Sequence, residues 1–226
     1  MIGLIGGMSY ASTITYYKLI NEFSQTHHNS LSRAKILISS VDFDEIEKYQ
    51  HNNEWQKAAS LLNEEAKRLE KAGASIIALC TNTMHKVANE LQKDLKAKFI
   101  HIAHSSLDEL NLNNIKDVLL LGTKYTMQED FYKNELKGLN VITPNNDDMN
   151  TINDIIFNEL CKDLIIQSSK EKFINIVNKH KVQGVLLACT EISLLINESD
   201  FDNLRVFDTA YIHAKDIFNQ SLKNLN

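Results

Sequence analysis

The sequence predicts an α/β protein built on parallel sheets. Eight short runs rich in β-branched and aliphatic residues alternate with stretches of helical period. Those runs are almost continuously apolar, as strands buried on both faces are. Two pairs of segments also recur at similar separations, which suggests a doubled unit.

In chain order, the first strand covers 2–5 and closes in Gly6-Gly7-Met8-Ser9. Glycines there would let backbone N–H groups approach a ligand, and Ser9 or Ser12 would cap the helix expected over 10–23, making an anion site; a tight turn needing glycine for packing fits as well. A second strand spans 35–41, and a helix follows over 55–71. The third strand, 75–79, runs into Cys80-Thr81-Asn82-Thr83, with a helix over 84–95. Strands at 99–103 and 118–121 come next, the latter ending at Gly122. A helix over 127–136, a strand at 141–143 and helices over 152–165 and 173–177 lead to the strand at 185–188, which ends in Cys189-Thr190-Glu191. The last strand, 206–207, meets Asp208-Thr209, which cap a C-terminal helix.

The run starting at Ile2 and ending at Gly6 echoes the run from Val118 to Gly122, 116 positions on, and Cys80 and Cys189 are 109 positions apart. The chain has one proline, Pro144, and seven glycines, so no hinge-like linker separates the halves. At 226 residues it can bury one large core or two of about 100 residues each.

Composition narrows the function. The chain is 43% apolar and 23% charged, and no segment has the roughly 20 unbroken apolar residues of a membrane span. Its start lacks the basic flank and apolar stretch of a secretion signal, which predicts a cytoplasmic protein. Three cysteines without a CxxC spacing predict free thiols, and no cysteine and histidine set has metal-ligand spacing. A net charge of −5 with scattered Lys and Arg leaves no footprint for nucleic acid or anionic lipid. A dinucleotide fingerprint would need Gly-x-Gly-x-x-Gly, and the chain has Gly3-x-x-Gly6-Gly7.

The chemistry-bearing groups gather at strand ends, where open α/β sheets bind small ligands. Thr81, Asn82 and Thr83 offer hydroxyls and an amide, as do Thr190 and Glu191 with a carboxylate. Each group also has a bland reading as a helix cap. Cys189 is the strongest candidate, because a thiol at a helix N-terminus has its pKa lowered and serves as base or nucleophile. His85, His104 and His213 follow strand ends and are candidate acids, bases or supports, while Cys161 falls in an apolar helical pattern and reads as core-facing.

Together these residues resemble the cofactor-independent aspartate/glutamate racemase family over nearly the whole chain. The likeness is carried, in order, by Gly-Leu-Ile-Gly-Gly-Met-Ser at 3–9 with Ser12-Thr13, Val41-Asp42-Phe43, Asn82-Thr83-Met84-His85, Cys189-Thr190-Glu191, and Phe207-Asp208-Thr209 through Ile212-His213-Ala214. It implies two Rossmann-like lobes with parallel sheets related by a pseudo-twofold axis, 1–104 plus 210–226 and 105–209, with the active site in the interlobe cleft. A homodimer, no cofactor, no metal, and an acidic amino acid as substrate are implied with it. So is a site containing Met8, Ser9, Asn82, Thr83, Thr190 and Glu191.

The chain departs from the family pattern at two places. The position directly before Asn82-Thr83, where most members carry a catalytic cysteine, holds Thr81, with Cys80 one step earlier. The internal repeat instead aligns Cys80 with Cys189, and one residue along a strand reverses the side chain's face. The family register assigns Thr81, so the pair resembles a subgroup acting on L-aspartate and L-glutamate in which Cys189 abstracts the α-proton and Thr81 donates one; D enantiomers are then expected to be poor substrates. Gln50 and Cys161 stand where aspartate racemases carry basic residues for the far carboxylate, with Lys124 and Lys162 as nearby substitutes. An isomerase or decarboxylase of small dicarboxylic acids, and a non-catalytic amino-acid sensor, are the alternatives.

Overall fold

The computed structural model describes residues 1–162 and 164–223, and the chain divides into two compact units: Met1–Ile102 with the chain from His213 onward, and Ala103–Ile212. Position 163 of the stretch read as a helix over 152–165, and positions 224–226 of the expected N-terminal lobe, lie outside the described residues.

The first unit runs β1 (Ile2–Gly6), α1 (Tyr10–His28), β2 (Ile36–Ser40), α2 (Phe43–His51), α3 (Trp55–Lys71), β3 (Ile76–Leu79), α4 (Ala88–Leu91) and β4 (Lys98–Phe99). Its four strands form a parallel sheet in the order β2-β1-β3-β4. The central strands β1 and β3 are buried along their whole length, which is why their sequences are apolar without alternation. On α3, Ala58, Leu62, Ala66 and Leu69 recur at helical spacing and share one core cluster with Ile5, Ile77 and Leu79 of the sheet. Burying a leucine such as Leu62 stabilises the unit by roughly 2 kcal/mol.

The turn after β1 needs its glycine. Gly7 has φ +92°, and a Cβ there would lie 2.2 Å from the carbonyl oxygen of Val41. The Gly7 N–H is already donated to Thr13 Oγ1 at 3.0 Å, so the tight-turn reading accounts for this group and the anion-site reading loses one of its donors. Ser9 caps α1, its hydroxyl accepting from the N–H of Ser12 at 3.3 Å.

The second unit holds α5 (Ile102–Leu112), β5 (Asp117–Gly122), α6 (Lys124–Gln128), α7 (Asp130–Lys133), β6 (Asn140–Ile142), α8 (Asn146–Asn158), α9 (Gln167–Asn178), β7 (Gly184–Ala188) and β8 (Arg205–Asp208), and α10 (Thr209–Lys223) leads back into the first. Its sheet is again parallel, in the order β6-β5-β7-β8. Ile152, Ile156, Phe173 and Ile176 share a core cluster with Leu119, Leu121, Val185 and Leu187, and Cys189 belongs to it. The two sheets thus repeat one topology: an α/β fold of two parallel four-stranded sheets.

Each of the eight apolar runs is a strand, with ends displaced by a few residues. The expected strand at 99–103 stops at Phe99, because only Lys98 and Phe99 pair with β3 and the chain turns into α5 at Ile102. The expected helix over 84–95 is a 3-10 helix, Thr83–Val87, followed by the single turn of α4. The one over 127–136 is split into α6 and α7. Helix α2 is not among the expected elements; it is nine residues long, and Ile46 is its one buried residue.

Candidate active site

In each sheet the strand order changes direction between two central strands, β1 and β3 in one unit and β5 and β7 in the other. Ligand crevices form outside the carboxyl ends of strands at such points. In the first unit the end of β3 is tied to the first turn of α1: Ser12 Oγ donates to the Cys80 carbonyl at 2.7 Å in a buried contact. Thr81 follows, half-buried, and then Asn82 and Thr83, both buried. Asn82 precedes the 3-10 helix without making a side-chain capping bond, so helix capping does not explain it.

Cys80 is inside the core, 1% exposed, and burial pushes its thiol far above the usual range. That is the signature of a small hydrophobe. The pairing register separates it from Cys189. Ile76 stands opposite Ile2, and Gly184 opposite Val118. Counting equally along β3 and β7 from those residues brings Cys80 level with Ala188, and Thr81 level with Cys189. The repeat spacing that seemed to match the two cysteines is therefore one residue off.

In the second unit Cys189 directly follows β7, and Thr190 and Glu191 turn into a three-residue 3-10 helix, Ile192–Leu194. Glu191 is buried at 6% exposure, and its Oε2 accepts from the Cys189 Sγ–H at 3.1 Å and from the Thr190 hydroxyl at 2.6 Å. Burial first, and then the Glu191 carboxylate, push the Cys189 thiol well above its ordinary pKa. This overturns the expected lowering: a 3-10 helix of one turn has little dipole to offer, and the adjacent negative charge acts the other way. The resting group is a thiol. Asp208 lies close enough to feel the Glu191 charge, and burial raises its pKa, while its Oδ1 caps α10 by accepting from the N–H groups of Ala210 and Tyr211.

Residues 5–217 match the family described as Asp/Glu/hydantoin racemase. The chain belongs to the Asp/Glu/hydantoin racemase family. A solved structure from Yersinia pestis, assigned to the Asp/Glu racemases, is 42% identical, covers 98% of both chains and superposes with a TM-score of 0.92. An aspartate racemase homologue from Pyrococcus horikoshii OT3 is 34% identical over 98% of both chains, with a TM-score of 0.87. The broad specificity amino-acid racemase RacX of Bacillus subtilis (strain 168) is 28% identical over 151 residues, and the match spans 61% of the length of each protein. Membership groups the chain with the racemases.

Within this racemase fold the remaining candidates are placed as follows. Gln50, on α2, donates from Nε2 to the sulfur of Met84 at 2.9 Å, beside the Asn82-Thr83 segment. The Met8 side chain is buried in the core cluster of its unit, and Ser9 caps α1. Lys124 is exposed and donates from Nζ to Asn150 Oδ1 at 3.0 Å. Cys161 is exposed on a 3-10 turn, which corrects its core-facing reading. His104 pairs on the surface with Glu135 at 2.8 Å.

His85 and His213 are different: both are buried, and burial holds both imidazoles neutral, His213 with a pKa lowered to about 4. His213 Nε2–H donates to the Ile100 carbonyl at 2.9 Å, so its Nδ1 accepts from the Tyr16 hydroxyl at 2.8 Å. The supports Ser12 and Thr209, whose Oγ1 donates to the Leu187 carbonyl at 2.8 Å, read in the sequence as ordinary caps, whereas His85 is one of the histidines the sequence offers as a support. Among the described residues no helix is long and apolar enough to cross a membrane, and no group of three or more His, Cys, Asp or Glu side chains is placed to hold a metal.

Proposed function

We propose that the protein racemises acidic amino acids, L-aspartate, L-glutamate or both, without a cofactor, Cys189 removing the α-proton and Thr81 delivering one to the opposite face. The observation that carries this reading is the positional equivalence of Thr81 and Cys189 at the ends of β3 and β7. The racemases it resembles support the substrate class.

Cys189 begins as a thiol hydrogen-bonded to Glu191. Transfer of that proton to the Glu191 carboxylate keeps the net charge of the pair and yields the thiolate, which takes the proton from Cα. Hydroxyl and amide donors at Asn82 and Thr83 stabilise the enediolate-like charge that forms on the substrate, while the Thr190 hydroxyl stays on Glu191 and helps orient its carboxylate. The Thr81 hydroxyl then protonates the carbon, and its alkoxide recovers a proton from solvent while Glu191 releases one.

A hydroxyl donates far better than it abstracts, so the two faces are unequal. The equilibrium constant between enantiomers is unity, so kcat/KM is the same in both directions; the expectation that D enantiomers are poor substrates therefore does not hold in kcat/KM, and the inequality shows instead in isotope exchange. In heavy water, L substrate gains deuterium at Cα faster than it inverts, whereas D substrate exchanges no faster than it inverts. Thr81→Cys gives both faces a thiol and raises inversion and exchange into D substrate together. Chiral chromatography with mass detection reads all of these quantities. Absence of deuterium in L-aspartate and L-glutamate would overturn the reading, and equal exchange into both enantiomers by the unaltered chain would overturn the roles of Cys189 and Thr81. A cytoplasmic homodimer is part of the same proposal, and size-exclusion chromatography with light scattering tests its stoichiometry.

A further inference from the structure

We infer that His85 is a positioning residue that fixes Thr81 for proton delivery by clamping its carbonyl group, an inference that rests on the racemase reading above. The ring of His85 is buried, and Ile102 N–H donates to its Nε2 at 3.2 Å. A neutral ring that accepts at Nε2 carries its proton on Nδ1, and Nδ1 lies 2.9 Å from the Thr81 carbonyl oxygen. His85 therefore donates back to Thr81 and receives from the first residue of α5.

What this does to Thr81 follows from the two peptide planes beside it. The plane before Thr81 is held by Ser12 Oγ on the Cys80 carbonyl, and Cys80 N–H donates to Ile5 at 2.9 Å. The plane after it is held by His85. With both planes anchored, Thr81 keeps only its χ1 rotation, so the direction of its hydroxyl is set to within one of three staggered wells. Proton transfer to carbon needs that direction, and a misplacement of about 1 Å costs about a hundredfold in rate. His85 is itself packed among rings: His101 and His213 meet it edge-on at ring-centroid distances of 4.6 and 5.7 Å, and Phe99 lies tilted at 5.7 Å. At Cys189 the carbonyl accepts from Ile192 N–H at 3.2 Å, and the thiol is oriented by Glu191.

The two ring nitrogens can be replaced one at a time. Asparagine places an N–H donor near the position of Nδ1, and glutamine places an amide near that of Nε2. His85→Asn keeps the clamp on Thr81 and loses the link to Ile102; His85→Gln does the reverse. The expected result is that His85→Gln lowers kcat for L-glutamate about tenfold or more with little change in KM, while His85→Asn keeps kcat within about threefold. The 13C shift of the Thr81 carbonyl, read by NMR, moves in His85→Gln and stays in His85→Asn. A role in folding alone would lower both variants alike, in proportion to their loss of thermal stability. Equal kcat losses in the two variants, or an unchanged Thr81 shift in His85→Gln, would overturn the inference. If the unaltered chain exchanges no α-proton, the racemase reading falls, and the carbonyl shift still decides the clamp.

Discussion

Acidification should expose the cost of a buried neutral histidine. His213 is fully buried, and its pKa falls to about 4 from 6.5 because an imidazolium there would lose its hydration. The unfolded chain binds this proton at the ordinary pKa, so between about pH 6.5 and 4 the unfolded state holds more protons than the folded one, and stability drops as the pH falls. The stabilisation is fully present above pH 6.5. A shift from 6.5 to about 4, at about 1.4 kcal/mol per unit, amounts to ~3 kcal/mol lost by pH 4. His213→Gln removes the titrating group while keeping an amide that can donate to Ile100. Urea denaturation at a series of pH values tests this: the stability of the unaltered chain should fall more steeply than that of His213→Gln, the curves converging by ~3 kcal/mol from neutral pH to pH 4. His85, also held neutral mainly by burial, titrates in both proteins. Parallel curves would refute the reasoning, because they would mean that folded His213 takes its proton as readily as a solvated one.

Three further outcomes are expected. Glu191→Gln removes the charge that raises the Cys189 thiol, so in a Cys80→Ala, Cys161→Ser background its alkylation by iodoacetamide at neutral pH should speed up, about tenfold for each unit the pKa falls, even as α-proton exchange slows for lack of a proton acceptor. Cys189→Ala should abolish deuterium uptake, whereas Cys80→Ala, which removes a core sulfur, should leave it largely intact; loss of uptake in Cys80→Ala would restore the register in which Cys80 matches Cys189. Gly6→Ala would place a Cβ 2.4 Å from both Cγ2 and Oγ1 of Thr13, a buried side chain that also receives the Gly7 N–H, so the urea midpoint should fall by the equivalent of about 1–3 kcal/mol.

The parallel sheets were legible because buried central strands write themselves as unbroken apolar runs: Ile2 to Ile5 and Val118 to Leu121 could be little else. Helix α3 declared itself through the spacing of Ala58, Leu62, Ala66 and Leu69. Helix α2 did not, because its apolar face is only Phe43, Ile46 and Tyr49 within nine residues, too short a run to stand out from the polar sequence around it. The candidate site was legible as motifs and illegible as a network. Thr81 and Cys189 stand out by position, but the Ser12 contact to Cys80 spans 68 residues and the His85 contact to Ile102 spans 17, and neither partner announces the other. The acidity of Cys189 was misjudged for the same reason. Its position suggested a helix N-terminus, while burial and a carboxylate two residues on, folded back onto the sulfur, decide the outcome.

The same strand order in both sheets has a consequence for how such a chain can change. Ser12 and His85 brace one strand end, Thr209 and Glu191 the other, and the two sets share no member. A substitution in one brace leaves the opposite one untouched, so sulfur and oxygen can be exchanged at either terminus as separate evolutionary steps, like parts on independent mounts.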